Sequence, residues 1–196
     1  MGAVKIGVAG PVGSGKTSLI ELLTDELKSS YSIAIVTNDI YTKEDADYLK
    51  AHLDIHNDRI LGVETGGCPH TAIRDDISMN MRACEELQEK FNPQIIFVES
   101  GGDNLSATFS YELVDFYLYV VDVAQGGDIP RKRGAGLIMC DLLIVNKTDL
   151  ARFVDVDLDQ MLRDVEAARR GKPFIFASKK EPKTIEKIAE WIRSAI

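Results

Sequence analysis

Residues 10–18 read Gly-Pro-Val-Gly-Ser-Gly-Lys-Thr-Ser and follow directly on the apolar run Val4–Ala9. The spacing G-x-x-x-x-G-K-S/T is met by Gly10, Gly15, Lys16 and Thr17, and a helical pattern comes next. This stretch constrains the fold more than any other, because it demands a strand that ends in a glycine loop and turns straight into a helix. The glycines let the backbone curl so that successive N–H groups point at phosphate oxygens. The start of the helix adds its partial positive charge. Gly10, Gly13, Ser14, Gly15, Lys16, Thr17 and Ser18 are therefore candidate phosphate contacts. Lys16 reaches the β- and γ-phosphates in this reading, and the Thr17 hydroxyl ligates Mg²⁺. The full pattern in this context outweighs the alternative of a plain glycine turn.

Strand and helix signals alternate along the rest of the chain. Strands are expected at 5–9, 32–37, 59–63, 94–98, 116–123, 142–145 and 174–177, and helices at 16–27, 42–52 and 156–168. One long helix is expected after residue 70, with Ile73, Ile77, Cys84, Leu87 and Phe91 on one face. In the helix at 156–168, Leu158, Leu162 and Val165 form the expected apolar side. A last helix carries Ile185, Ile188, Ala189, Ile192 and Ile196, and Gly126 to Gly136 reads as a glycine-rich loop holding Arg131, Lys132 and Arg133. The alternation gives an α/β fold of the P-loop NTPase kind: a mostly parallel, twisted sheet of about seven strands with helices on both faces. No linker divides the chain, so residues 1–196 are expected to form a single domain.

The net charge of −8 argues against a nucleic-acid partner. No apolar run approaches the roughly 20 residues that span a bilayer, and no signal-peptide pattern is present. No membrane partner and a cytoplasmic location are expected. Three cysteines, Cys68, Cys84 and Cys140, form no disulfide framework.

Asn146-Lys147-Thr148-Asp149 follows a buried strand and matches the N-K-x-D motif of GTPases. A carboxylate at Asp149 can accept from the guanine ring N1–H and exocyclic amine together. Adenine offers neither proton, so the motif favours GTP over ATP. Ala177 and Ser178, after the last strand, stand where GTPases place a further base-contacting loop.

In an open α/β sheet, ligands gather at the carboxyl ends of the strands. Asp39, Glu64 and Glu99 fall there, and all three are candidates for the neighbourhood of Mg²⁺. Asp39 can bind Mg²⁺ or orient the attacking water, which with Lys16 makes it a candidate catalytic residue. Glu64 is a second Mg²⁺ candidate. Glu99 closes its strand as the acid of a Walker B strand does, and Gly102 lies where a γ-phosphate sensor glycine sits.

Cys68-Pro69-His70 carries two transition-metal ligands around a proline. One such motif supplies only two ligands; a two-fold dimer supplies four. A planar set suits Ni²⁺ and a tetrahedral one Zn²⁺. A structural cysteine beside a capping histidine is the competing reading. The Gly66-Gly67 pair between Glu64 and Cys68 can change its dihedrals cheaply, which would let a nucleotide contact reposition the metal ligands.

Taken together, Gly10 to Thr17, Thr37-Asn38-Asp39-Ile40-Tyr41-Thr42, Val63 to His70, Val98 to Leu105 and Asn146 to Asp149 resemble the urease accessory GTPases, the UreG family, among the nickel-chaperone GTPases of the SIMIBI class. The likeness covers nearly the whole chain. It implies a GTPase, slow without partners, that dimerises in the GTP state and holds Ni²⁺ between protomers through Cys68 and His70. It also implies Mg²⁺ at Thr17 with Asp39, and delivery of nickel to apo-urease with the other urease accessory proteins. The alternatives are a related metal-insertion GTPase of the hydrogenase-maturation type and a GTP-switched scaffold with no metal role.

Overall fold

The computed structural model describes residues 2–39, 42–67, 69–102, 105 and 107–196, without the side chain of Pro69. Seven strands, β1 (Val4–Ala9), β2 (Ile33–Asp39), β3 (Ile60–Glu64), β4 (Ile95–Glu99), β5 (Phe116–Asp122), β6 (Leu142–Asn146) and β7 (Phe174–Phe176), form one sheet. Their order is β3-β2-β4-β1-β5-β6-β7, and every neighbouring pair is parallel. Among the described residues eight α-helices flank the sheet: α1 (Lys16–Leu27), α2 (Glu44–His52), α3 (Pro69–Arg74), α4 (Ser78–Phe91), α5 (Ile129–Lys132), α6 (Ala135–Met139), α7 (Leu158–Arg169) and α8 (Pro182–Ala195).

The inner strands explain the topology. All residues of β4 and β5 are buried. Runs such as Ile-Ile-Phe-Val and Phe-Tyr-Leu-Tyr-Val-Val can be dry only if both faces of the sheet are covered, and parallel crossovers put helices on both. On one face Leu19, Leu23, Leu49, Ile188 and Ile192 of α1, α2 and α8 pack against Ile6, Val8, Phe97 and Leu118. On the other, Leu87, Leu137 and Val165 of α4, α6 and α7 pack against Val36, Val98, Tyr119 and Leu143. Among the described residues no helix is long and apolar enough to cross a membrane.

Three expectations are corrected. The long helix after residue 70 is two helices. Asp76 accepts hydrogen bonds from the Ser78 N–H (3.2 Å) and hydroxyl (2.7 Å), a local side-chain bond that ends one helix and starts the next. The stretch 126–136 holds α5 and the start of α6 rather than a bare loop. Here Arg131 pairs with Asp164 at 2.7 Å and Lys132 with Asp128 at 2.9 Å, so two of the three basic residues are already neutralised. On α7 the buried face is Met161, Val165 and Ala168, while Leu162 is exposed. Asp157, which accepts from the N–H groups of Asp159 and Gln160, caps the helix so that it starts at Leu158, and the stripe Met161, Val165 and Ala168, spaced i, i+4 and i+7, is the one that packs on the core.

Candidate functional site

The phosphate loop is built by close approaches that only glycine allows. Gly10 lies against β5, where a Cβ would come within 2.2 Å of the Val120 carbonyl oxygen. Gly15 adopts φ 94° and faces the Asn146 amide, which donates to the Ser14 carbonyl at 2.9 Å. Gly10 and Ser14 do not line the cavity; they tie the loop to Val120 of β5 and Asn146 of β6. The cavity, about 460 Å³, is lined by Gly13, Gly15, Lys16, Thr17 and Ser18 of the loop, by Asp39 and Asp45, and by Gly101 and Gly102 beyond β4. Gly102 (φ 74°) sits so that a Cβ would lie 2.9 Å from Val12 and 3.5 Å from the Lys16 ammonium. Its backbone therefore borders the phosphate end.

Four oxygen-bearing side chains gather at the other wall. The Thr17 hydroxyl lies 2.6 Å from Glu99 Oε1 and 3.1 Å from Asp45 Oδ1. The second Glu99 oxygen is buried without a hydrogen-bond partner among the described residues. Burial, and then the nearby Asp45 carboxylate, push the Glu99 carboxyl up to about 8. A buried carboxyl with an idle oxygen beside a hydroxyl and two further carboxylates fits a hard divalent cation, which takes one or two protein oxygens and keeps water and phosphate for the rest. The residues present thus fit Mg²⁺. Asp39 lines the same cavity and accepts a hydrogen bond from the Thr42 hydroxyl.

Glu64, expected near Mg²⁺, stands elsewhere. It is paired in register with Asp39, but its side chain is half exposed, 3.7 Å from Lys43, and borders a separate cavity with Met79 and Arg82. Asp45 takes the wall that Glu64 was expected to occupy. Its place in the first turn of α2 reads from sequence as a helix-dipole acid, and nothing in the sequence marks it further. The α2–α1 packing, with Tyr48 donating to Glu21 at 2.9 Å, brings it to Thr17.

A second cavity of about 310 Å³ adjoins the first and shares Gly15, Ser18 and Lys147 with it. Leu19, Leu22, Leu150 and Ile185 give it apolar walls, and Asn146, Asp149, Lys179 and Lys180 its polar rim. Lys147, in the left-handed conformation at φ 59°, runs its ammonium to the Gly13 carbonyl (2.6 Å) and the Asp122 carboxylate (2.5 Å). Asp122, a buried strand-end acid that no sequence motif marks, thus anchors the lysine that bridges the two cavities. Asp149 is held from both sides. Ser178 Oγ donates to Oδ1 at 2.6 Å, and the Lys180 ammonium lies 2.7 Å from Oδ2. Lys180 first, and Ser178 next, hold its carboxyl below the usual range. Ala177 reaches the site only through its backbone, accepting from the Thr148 N–H at 3.1 Å.

His70 stands in the first turn of α3 and is half-buried. Its expected partner Cys68 lies outside the described residues. Cys84 and Cys140 are buried in the core. Among the described residues no three His, Cys, Asp or Glu side chains converge as a closed metal-ligand set, so the Mg²⁺ fit at Thr17 rests on one or two protein oxygens with water and phosphate supplying the rest.

The chain matches the family model of the CobW/HypB/UreG nucleotide-binding domain over residues 4–176. It is 69% identical over 194 residues to the urease accessory protein UreG of Aliarcobacter butzleri (strain RM4018), covering 99% of this chain and 100% of that protein. It is 56% identical over 194 residues to the urease accessory protein UreG of Lysinibacillus sphaericus (strain C3-41), covering 98% and 93%. Among solved structures, HypB from Helicobacter pylori in complex with nickel superposes with a TM-score of 0.81 at 23% identity, covering 98% of this chain and 86% of that one. The hydrogenase maturation factor HypB from Archaeoglobus fulgidus gives 0.78 at 22%, covering 98% and 90%. The two structural likenesses bear on the fold alone. Model match and near-full-length identity lead to one conclusion: the chain belongs to the CobW/HypB/UreG family, and within it to the urease accessory protein UreG group.

Proposed function

We propose that this chain is a GTP-hydrolysing nickel metallochaperone for urease assembly, working as a single GTPase domain in the cytoplasm. The observation that carries the nucleotide half is the joined pair of cavities, with a lysine-bearing phosphate loop at one end and a fixed carboxylate, Asp149, at the other. In that frame the guanine N1–H and amine face Asp149, and its ring lies between the Lys147 stem and the apolar wall. Lys16 neutralises charge on the β- and γ-phosphates, and Asp39 holds the attacking water by accepting its hydrogen bond. Mg²⁺, held at Thr17 with help from Asp39, supplies charge neutralisation at the phosphate oxygens.

Nickel is the cargo. Cys68 and His70 of one protomer supply two ligands, and a GTP-bound homodimer supplies four. Zn²⁺ competes for the same donors. The accessory-protein names of the relatives support transfer to apo-urease together with other urease accessory proteins. The test is size-exclusion chromatography with light scattering, and nickel titration, each with a GTP analogue plus Mg²⁺ and with GDP. A dimer holding about one Ni²⁺, formed only with the analogue, is the expected result. Equal nickel affinity in both states would sink the coupling, and equal hydrolysis of ATP and GTP would sink the nucleotide assignment.

A further inference from the structure

Two asparagines sit fully buried between the sheet and α4. Asn38 is the next-to-last residue of β2 and Asn80 lies in the first turn of α4; each is 0% exposed. Their amides bond reciprocally, Asn38 Nδ2 to Asn80 Oδ1 and Asn80 Nδ2 to Asn38 Oδ1, both at 2.9 Å. The remaining hydrogen of Asn38 goes to the Glu99 carbonyl at 2.9 Å, and that of Asn80 to the Ala72 carbonyl at 2.9 Å. Every donor of both amides is used, so neither can turn without breaking a buried bond.

The two ends of this chain of bonds lie in the two halves of the proposed machine. At one end, Glu99 accepts from Thr17, and Asn38 precedes Asp39 on the wall of the phosphate cavity. At the other end Ala72 belongs to α3, the six-residue helix that carries His70 two positions earlier. The break at Asp76 and Ser78 separates α3 from α4, so α3 is a short body of its own, seated on the core through Ala72 and Ile73. Besides the Asn80 bond, the Ser110 N–H donates to the Ile73 carbonyl at 2.9 Å. A pair of amides in an otherwise apolar layer gains nothing over apolar side chains in stability, but it fixes a relation between the groups it joins.

We infer that Asn38 and Asn80 are positioning residues that couple the phosphate cavity to α3, and so set the placement of His70 by the nucleotide state. The inference rests on the proposed function for its output but not for its mechanics. When Glu99, Thr17 and Asp39 rearrange around the γ-phosphate, the Glu99 backbone and the end of β2 shift. The amide pair passes that shift to Ala72, and α3 moves as a unit.

The test uses the full chain and its Asn80→Ala and Asn80→Ser variants. Nickel affinity is measured with a GTP analogue plus Mg²⁺ and with GDP. The unaltered chain should bind nickel at least about tenfold more tightly with the analogue. In the variants that ratio should fall to about threefold or less, while affinities for both nucleotides stay within about twofold. A folded variant that keeps the full ratio overturns the inference. Amide hydrogen exchange over residues 70–76 of the unaltered chain provides the second measurement, for use if the variants do not fold or nickel does not bind. Protection there should differ between analogue and GDP, and no difference overturns the inference. Absence of nickel binding together with a nucleotide-dependent change at 70–76 would refute the metal role and leave the coupling standing.

Discussion

In the proposed function, Asp149 is the residue on which nucleotide choice turns. Its carboxylate is oriented by Ser178 and shielded from bulk water on one side by the cavity wall, so a base without two matching donors leaves it unpaired. Asp149→Ala should lower GTP affinity by about a hundredfold or more and remove the preference for guanosine over inosine nucleotides, read by competition with a fluorescent GDP. Lys180 acts in the opposite sense. It occupies the Asp149 oxygen that a guanine donor needs, and its side chain is two-thirds exposed at 66%. Lys180→Ala should therefore raise GDP affinity by up to about fivefold, the range of an exposed ion pair, and the gain should shrink at high salt. Weaker binding by this variant at every salt concentration would mean that Lys180 contacts the nucleotide. The sequence offered Asp149 and Ser178 as separate parts of two motifs; their direct bond belongs to the folded chain alone.

At the scale of elements, the strands and most helices were legible because their apolar periods are clean. Each strand lies within two residues of its expected bounds. The break between α3 and α4 was not legible, since Ile73, Ile77 and Cys84 continue one helical stripe through it. The Asp76–Ser78 bonds that cause the break look from sequence like ordinary surface polar residues. The seat of β6 has a similar hidden support. Arg169, buried at the end of α7, donates to the carbonyls of Leu137 (2.7 Å), Cys140 (3.0 Å) and Pro173 (2.9 Å), tying α6, the entry to β6 and the entry to β7 together. Arg169→Leu leaves these carbonyls buried and unpaired, and should cost about 3–5 kcal/mol in urea unfolding. Guanine-nucleotide affinity of the folded fraction should stay the same, since Asn146 and Asp149 lie at the opposite end of β6.

At the scale of the whole molecule, one of the two cores closes over both Cys84 and Cys140. Burial pushes Cys84 up to about 11 and Cys140 up to about 12 from an ordinary 9.0. The unfolded chain releases these protons near pH 9 while the folded chain retains them, so the unfolded state binds fewer protons across that window and stability falls as pH rises through it. Chemical unfolding followed from pH 8 to 10.5 should show this decline, and its absence would mean that the thiols are solvated. A thiol reagent at pH 8, with peptide mapping, should leave both residues unmodified until denaturant is added.

By itself the sequence determined the parallel α/β fold, the phosphate loop and the N-K-x-D motif. Each is written in residues adjacent along the chain, where local geometry suffices to impose the structure. Only the tertiary structure decided which distant groups meet. Thr17 joins Glu99 across 82 residues, and Asn146 joins the loop at Ser14 across 132. Asp45 replaces Glu64 at the cavity wall, and Asn80 joins Asn38 beneath it. Those pairings follow from how helices pack on the sheet, and a hydrogen bond good over about 3 Å cannot be read from a pattern that fixes helix faces only to a residue or two.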